Sequence, residues 1–138
     1  MKDYEQVQWS EVYSVQYKAI DDQHKELVRM TNELLGACKK GSNKADTFFM
    51  KTIQGAVNYA KTHFATEEVY MDKVAYPEYQ LHKKEHEGFV EEVLRQLKIF
   101  EEGKSEPIEF AGFLKNWLLN HIAVSDKKYA PYLSAIKE

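Results

Sequence analysis

EYQLHKKEHEGFVEEVLRQLKIFEE, residues 78–102, carries His82, His86, Phe89, Val93, Leu97 and Phe100 at steps of three and four. Steps of three and four place side chains on one face of an α-helix, so the stretch reads as a helix with a single buried stripe. Tyr76-Pro77 precedes it and Gly103-Lys104-Ser105-Glu106-Pro107 follows it, and both are breaks of the kind that end helices. Upstream, Gly41-Ser42-Asn43 marks another joint. The segments on either side repeat the pattern. One stripe is Ile20, His24, Leu27, Thr31, Leu34 and Cys38. The next is Phe49, Ile53, Ala56, Ala60, His63, Glu67 and Met71, and the last is Phe110, Leu114, Trp117 and His121. Pro107 suits the first turn of its helix, where a missing N–H costs nothing.

The expectation is an all-α, up-down-up-down four-helix bundle with an extended N-terminal segment. Its parts would be an arm over about 1–19, helices over about 20–40, 45–73, 78–102 and 107–127, and a short C-terminal segment, 128–138, all in one domain, 1–138. Antiparallel packing then fixes heights. His86 lies about 18 residues before the third joint and His121 about 17 after it, so at 1.5 Å per residue they stand level. The same count around the other joints brings His24, His63 and His82 to that level. All five histidines should converge on one layer near one end of the bundle.

Composition narrows the function. The chain has 138 residues, 43% hydrophobic and 30% charged, with 19 basic and 22 acidic side chains and a net charge of −3. That is the balance of a globular domain, and nothing forms the basic stripe a nucleic acid needs. No apolar run approaches the roughly 20 residues that cross a bilayer, and residues 1–10 lack the apolar core of a secretory signal. Cys38 is the only cysteine, which excludes an intrachain disulfide and fits a reducing compartment. A cytoplasmic protein, with no nucleic-acid or membrane partner, is the reading.

Five imidazoles buried in one layer would leave many ring nitrogens unpaired, at ~1–3 kcal/mol each, unless a metal takes them. His63/Glu67 and His82/His86 are i, i+4 pairs that project from one helix face. His121 and Asp126 are five apart, about 140° around an ideal helix, so Asp126 must reach in from the flank or the helix must bend or loosen. Imidazole with carboxylate suits iron, zinc, copper or manganese. Seven ligands are too many for one such ion and suit two, with carboxylates bridging as in other bundle-core sites.

The residues resemble the hemerythrin family, specifically its single-domain bacterial members. The matching strings are Ile20-Asp21-Asp22-Gln23-His24, His63-Phe64-Ala65-Thr66-Glu67-Glu68, His82-Lys83-Lys84-Glu85-His86 and Trp117-Leu118-Leu119-Asn120-His121-Ile122, followed by Asp126 and Tyr129. The strings come in order, and the resemblance runs from Trp9 to about Tyr132, almost the whole chain. The resemblance implies that His82, His86 and His121 bind one iron and His24 and His63 the other. Glu67, Asp126 and an oxo or hydroxo group would bridge the two irons, which cycle between Fe2+ and Fe3+. It also makes the five-residue step to Asp126 a family pattern. Three histidines and three bridges fill six positions on the first iron, while two histidines leave the second five-coordinate. The implied function is reversible dioxygen binding for storage or delivery, the ligand held end-on at that vacancy as hydroperoxide. Leu118 matches the family's apolar gate, and Phe64, Trp117 and Ile122 are further walls of the ligand pocket. Tyr129 is a candidate outer hydrogen-bond donor. The sequence departs at Gln16-Tyr17, where many bacterial members have a glycine after the valine matching Val15.

Other readings fit less of the pattern. H-x-x-E-H in residues 82–86 also spells a zinc peptidase, but that would leave His24, His63 and His121 unexplained, and Glu85 is off the stripe, towards solvent. Di-iron oxidases use Glu-x-x-His steps, which are missing here. An oxygen-sensing module would share the site, yet this length leaves no room for a signalling segment. The expected molecule is a monomeric carrier rather than an enzyme, with weak oxidase or peroxidase chemistry at most.

Overall fold

The computed structural model describes residues 4–104 and 106–133. The ends of the expected arm and C-terminal segment, 1–3 and 134–138, and Ser105 of the third joint lie outside them. After a short 3-10 turn, Glu11–Tyr13, come four long helical rods. The first is α1, Lys18–Lys40. The second joins α2, Ser42–Tyr59, to α3, Ala65–Lys73, through a π-helical turn, Ala60–Phe64. The third is α4, Tyr79–Glu101. The fourth joins α5, Pro107–Trp117, to α6, Lys127–Leu133, through a π-helical segment, Leu118–Asp126. The architecture is an all-α four-helix bundle with an N-terminal extension.

Two boundaries differ from the expected ones for local reasons. The joint after α1 shrinks to Gly41, whose φ of 126° and ψ of 167° lie where glycine is at ease, so the next helix starts at Ser42. The fourth rod runs on to Leu133, past Asp126, because Tyr129 and Leu133 are buried and anchor another turn. Close approach of α1 and α2 depends on Gly55: a Cβ there would stand 2.1 Å from Met30 Sδ.

The arm is strapped to the bundle by polar ties. Asn32 donates to Val7 O at 2.9 Å and accepts from Val7 N at 2.7 Å, and Lys115 Nζ reaches Glu5 O at 2.7 Å. Asp21, in the first turn of α1, accepts from Ser14 Oγ at 2.6 Å and Val15 N at 2.9 Å. An acidic side chain there also suits the positive end of the helix dipole.

Chain order along each rod reveals how the interior is layered. Ile20, Met71, Tyr76 and Tyr129 belong to one apolar cluster. Leu27, Phe64, Phe89 and Ile122 belong to a larger one. Between these two sets lie His24 on the first rod, Glu67 on the second, His82 and His86 on the third and Asp126 on the fourth. A buried polar layer is thus sandwiched between two apolar ones. Burying each large apolar side chain is worth ~1.5–3 kcal/mol, which offsets the cost of the polar layer. Among the described residues no helix is long and apolar enough to cross a membrane.

Candidate metal centre

Each rod delivers its polar residues by its own local geometry. α1 carries His24, the first π turn His63 and α3 Glu67, while His82 and His86 stand one turn apart on regular α4. His121 and Asp126 both lie in the second π segment. A π turn bonds i to i+5 rather than i+4, so residues five apart return to the same face. That loosening is the physical reason the five-residue step works. None of the seven side chains is more than 3% exposed.

Their donor atoms gather into two groups that share both carboxylates. Glu67, His82, His86, His121 and Asp126 form one; His24, His63, Glu67 and Asp126 form the other, with the atoms of each group within 4.8 Å of one another. Asp126 Oδ1 lies 2.8 Å from His82 Nε2 and 3.0 Å from His121 Nε2, while its Oδ2 lies 3.0 Å from His24 Nε2. Glu67 Oε1 lies 3.1 Å from His63 Nε2 and 3.2 Å from His86 Nε2. The Nε2 atoms of His24 and His63 stand 2.9 Å apart.

This interior fits cations better than it fits itself. The Nε2 atoms of His82, His86 and His121, with Glu67 Oε1 and both Asp126 oxygens, are close together yet buried without hydrogen-bond partners among the described residues. Atoms that crowd a common centre without bonding each other are what a bound ion organises. Burial alone would push the Asp126 carboxyl up, but the charge of His121 beside it, with the imidazole nitrogens of His24 and His82 close by, holds it well below the usual range. Burial and Asp126 likewise push Glu67 up, and His63 and His86 outweigh them. For His121 burial opposes the charge, and Asp126 and Glu85 overcome it, raising it to about 10. Burial keeps His63 neutral, the form that ligates. The two donor sets match a di-iron centre in composition, with mixed imidazole and carboxylate and two shared bridges.

Behind the donors is a set of partners that sequence reasoning mostly missed. His86 Nδ1 donates to Glu68 at 3.0 Å, and His121 Nδ1 to Glu85 at 2.8 Å. Ser125 Oγ also donates to Glu85 at 2.8 Å. Glu85, expected to face solvent, therefore turns back across the helix interface and orients a histidine. His63 Nδ1 is met by the side-chain oxygen of Gln23, and His24 Nδ1 has no hydrogen-bond partner among the described residues. Tyr129 Oη donates to Glu67 Oε2, the outer hydrogen bond anticipated from sequence. Phe64 stacks on His86 and Trp117 on His121, each with ring centres 3.9 Å apart. Leu118 and Ile122 are fully buried in the same core cluster. Tyr59 stacks on His63 at 4.8 Å, and its hydroxyl accepts from Trp117 Nε1 at 3.4 Å. Its place one turn before His63 was the available signal.

Known proteins are similar to this chain in sequence and fold. Residues 15–133 match the family model described as the hemerythrin HHE cation binding domain. A bacteriohemerythrin of Pseudomonas aeruginosa (strain LESB58) is 33% identical over 129 residues, covering 94% of this chain and 80% of the relative. One from Methylococcus capsulatus is 35% identical over 83% of this chain and 86% of its own. A crystal structure of wild-type hemerythrin superposes with a TM-score of 0.78 at 30% identity, covering 93% of this chain and 98% of the other.

Proposed function

This chain belongs to the hemerythrin family, and from that premise we propose that it binds dioxygen reversibly, as a store or delivery protein rather than an enzyme. The observation that carries the reading is the unequal pair of donor sets joined by Glu67 and Asp126. His82, His86 and His121 would hold one iron and His24 and His63 the other, both carboxylates bridging. One histidine fewer on the second side leaves room there for a small ligand. When bound, the iron pair supplies the electrons that hold dioxygen and takes them back on release.

The chain's own residues do the rest. Phe64 and Trp117 clamp imidazole rings face to face, which fixes their direction and keeps water off them. Leu118 and Ile122, both fully buried, would line the ligand pocket with hydrocarbon and keep water and acidic side chains away from the ligand. Tyr129 holds Glu67 in its bridging orientation.

Anaerobic and aerobic optical titration with iron quantification tests the reading. About two irons per chain are expected, with an absorption band that appears with oxygen, vanishes on its removal and returns. A single irreversible oxidation, or one zinc per chain, would overturn it. Leu118→Ala should leave iron content unchanged and speed autoxidation; an unchanged rate would remove Leu118 from the gate.

A further inference from the structure

One buried hydroxyl beside the metal centre is only half satisfied. Tyr59 closes α2 one turn before His63, and the π turn that follows lays the two rings together, with centres 4.8 Å apart and planes 18° from parallel. The residue is 5% exposed. Its hydroxyl oxygen accepts from Trp117 Nε1 at 3.4 Å. Among the described residues no acceptor takes the hydroxyl's own hydrogen.

Packing accounts for the ring but not for that hydrogen. The ring fills space beside Phe64 and Phe89, at 5.5 and 5.7 Å between centres, and phenylalanine would fill the same space. The oxygen serves Trp117, yet a hydroxyl also brings a second buried donor, and a buried donor without an acceptor is destabilising. Tyr59 sits where a ligand could supply the acceptor. It lies on His63, from the donor set with fewer histidines, and against Phe64 and Trp117, two walls of the ligand pocket. We propose that the Tyr59 hydroxyl donates a hydrogen bond to the outer atom of a small ligand held on the His24/His63 side. The centre would thereby select ligands whose outer atom carries lone pairs and negative charge, which include reduced dioxygen and small linear anions. The proposal rests on the di-iron reading above.

A phenol suits this task. It is a far weaker acid than a carboxyl group, so it offers a hydrogen bond and keeps its proton. Leu118 and Ile122 are fully buried, so solvent does not compete for the donor, and a hydrogen bond in such surroundings is stronger than one in water. Stacking on His63 and the bond from Trp117 fix the hydroxyl before any ligand arrives, which spares most of the entropy cost of ordering it. A ligand without lone pairs on its outer atom would leave the hydrogen unpaired and gain nothing from Tyr59.

The test uses the full, iron-loaded chain in its oxidised form, with azide as the probe. Azide has a terminal nitrogen with lone pairs and an infrared stretch that reports hydrogen bonding. The protein is loaded with iron in H2O or in D2O, so that the buried hydroxyl carries either isotope. In wild type the azide stretch should differ between the two solvents. Tyr59→Phe keeps the ring on His63, so it should hold the same iron, abolish the isotope difference and weaken azide binding by about three- to tenfold. Dioxygen release should quicken by a similar factor. A wild-type azide stretch that ignores deuterium, a reading that needs no variant, overturns the proposal. An isotope difference that survives in Tyr59→Phe also overturns it, because the donor is then Trp117 or the bridge. Unchanged azide affinity in Tyr59→Phe overturns it as well. Reversible oxygenation of the same samples would leave the dioxygen reading standing in each of those cases. A protein that binds no iron defeats both.

Discussion

Two stretches of the molecule each supply a pair of metal-facing side chains, by opposite means. His82 and His86 project from regular α4, four residues apart, as any amphipathic helix would present them. His121 and Asp126 are five apart and share a face only because the backbone from Leu118 to Asp126 widens into π turns. The regular pair comes with the helix, whereas the widened pair depends on the site. Asp126 is also the residue whose two oxygens face different histidine groups, His82 and His121 on one side and His24 on the other.

The largest expected effect follows from that division of labour. Asp126→Ala should lower iron from about two per chain to almost none, because both donor sets lose a member and a buried charge balance. His82→Ala should keep at least one iron, since His24, His63, Glu67 and Asp126 form a complete group without it. Metal analysis after chelator-free dialysis reads both. Equal losses would show that the two pairs are interchangeable and sink the comparison.

The contrast also explains what was legible in the sequence. Steps of three and four reveal Ile20, His24, Leu27 and Leu34 as one stripe, and His82 with His86 as one ligand pair, because an α-helix repeats that way. Asp126 breaks the period, so spacing could say only that the helix must bend or loosen, and the family pattern supplied the rest. Glu85 was misplaced for a related reason. Periodicity locates the Cβ atom, off the histidine stripe, but the longer side chain carries its carboxylate across to His121 and Ser125 on the neighbouring rod. The shrinking of the Gly41 joint and the continuation to Leu133 depend on packing between rods, which no single stripe reports.

A second prediction sharpens the comparison one layer out. Glu85 and Glu68 place carboxylates behind His121 and His86, while His63 has only the neutral Gln23. Anionic partners make an imidazole a better donor, and loss of such a partner typically costs 10–100-fold in metal affinity. Glu85→Ala should therefore weaken metal binding by about 10–100-fold, and Gln23→Ala by about tenfold or less. Glu85→Gln should recover part of the loss, because an amide oxygen can still accept from Nδ1. Competition titration with a chromophoric chelator separates these outcomes, and a larger loss in Gln23→Ala would reverse the assignment.

Dynamics offer a third, gentler test. A π segment is costly unless something holds it, and a metal bound by His121 and Asp126 would do so. Amide hydrogen exchange should slow on iron loading most in residues 118–126 and less in 79–101, where regular bonding already protects the chain. Uniform slowing along both rods would mean that the widened segment is held by packing alone.

The smallest effect tests the entrance to α1, the rod that delivers His24 in regular geometry. Gln16 has φ of +58°, where an L side chain costs ~1–2 kcal/mol and glycine costs little. The strain is tolerated because Gln16 N donates to Ser14 Oγ at 3.0 Å while Ser14 and Val15 are held by Asp21, so the turn is over-determined by its hydrogen bonds. Glycine would relieve the strain but lose more entropy on folding, which offsets ~0.5–1 kcal/mol of the gain. Gln16→Gly should therefore stabilise the iron-loaded protein by only about 0.5–1 kcal/mol, read from the urea midpoint, with iron content unchanged. Asp21→Ala removes the acceptor that fixes this turn and should destabilise it whether residue 16 is glutamine or glycine. If Gln16→Gly is itself destabilising, the glutamine side chain contributes to the arm's attachment, and the positive φ is a consequence of that contact rather than a cost borne for the helix start.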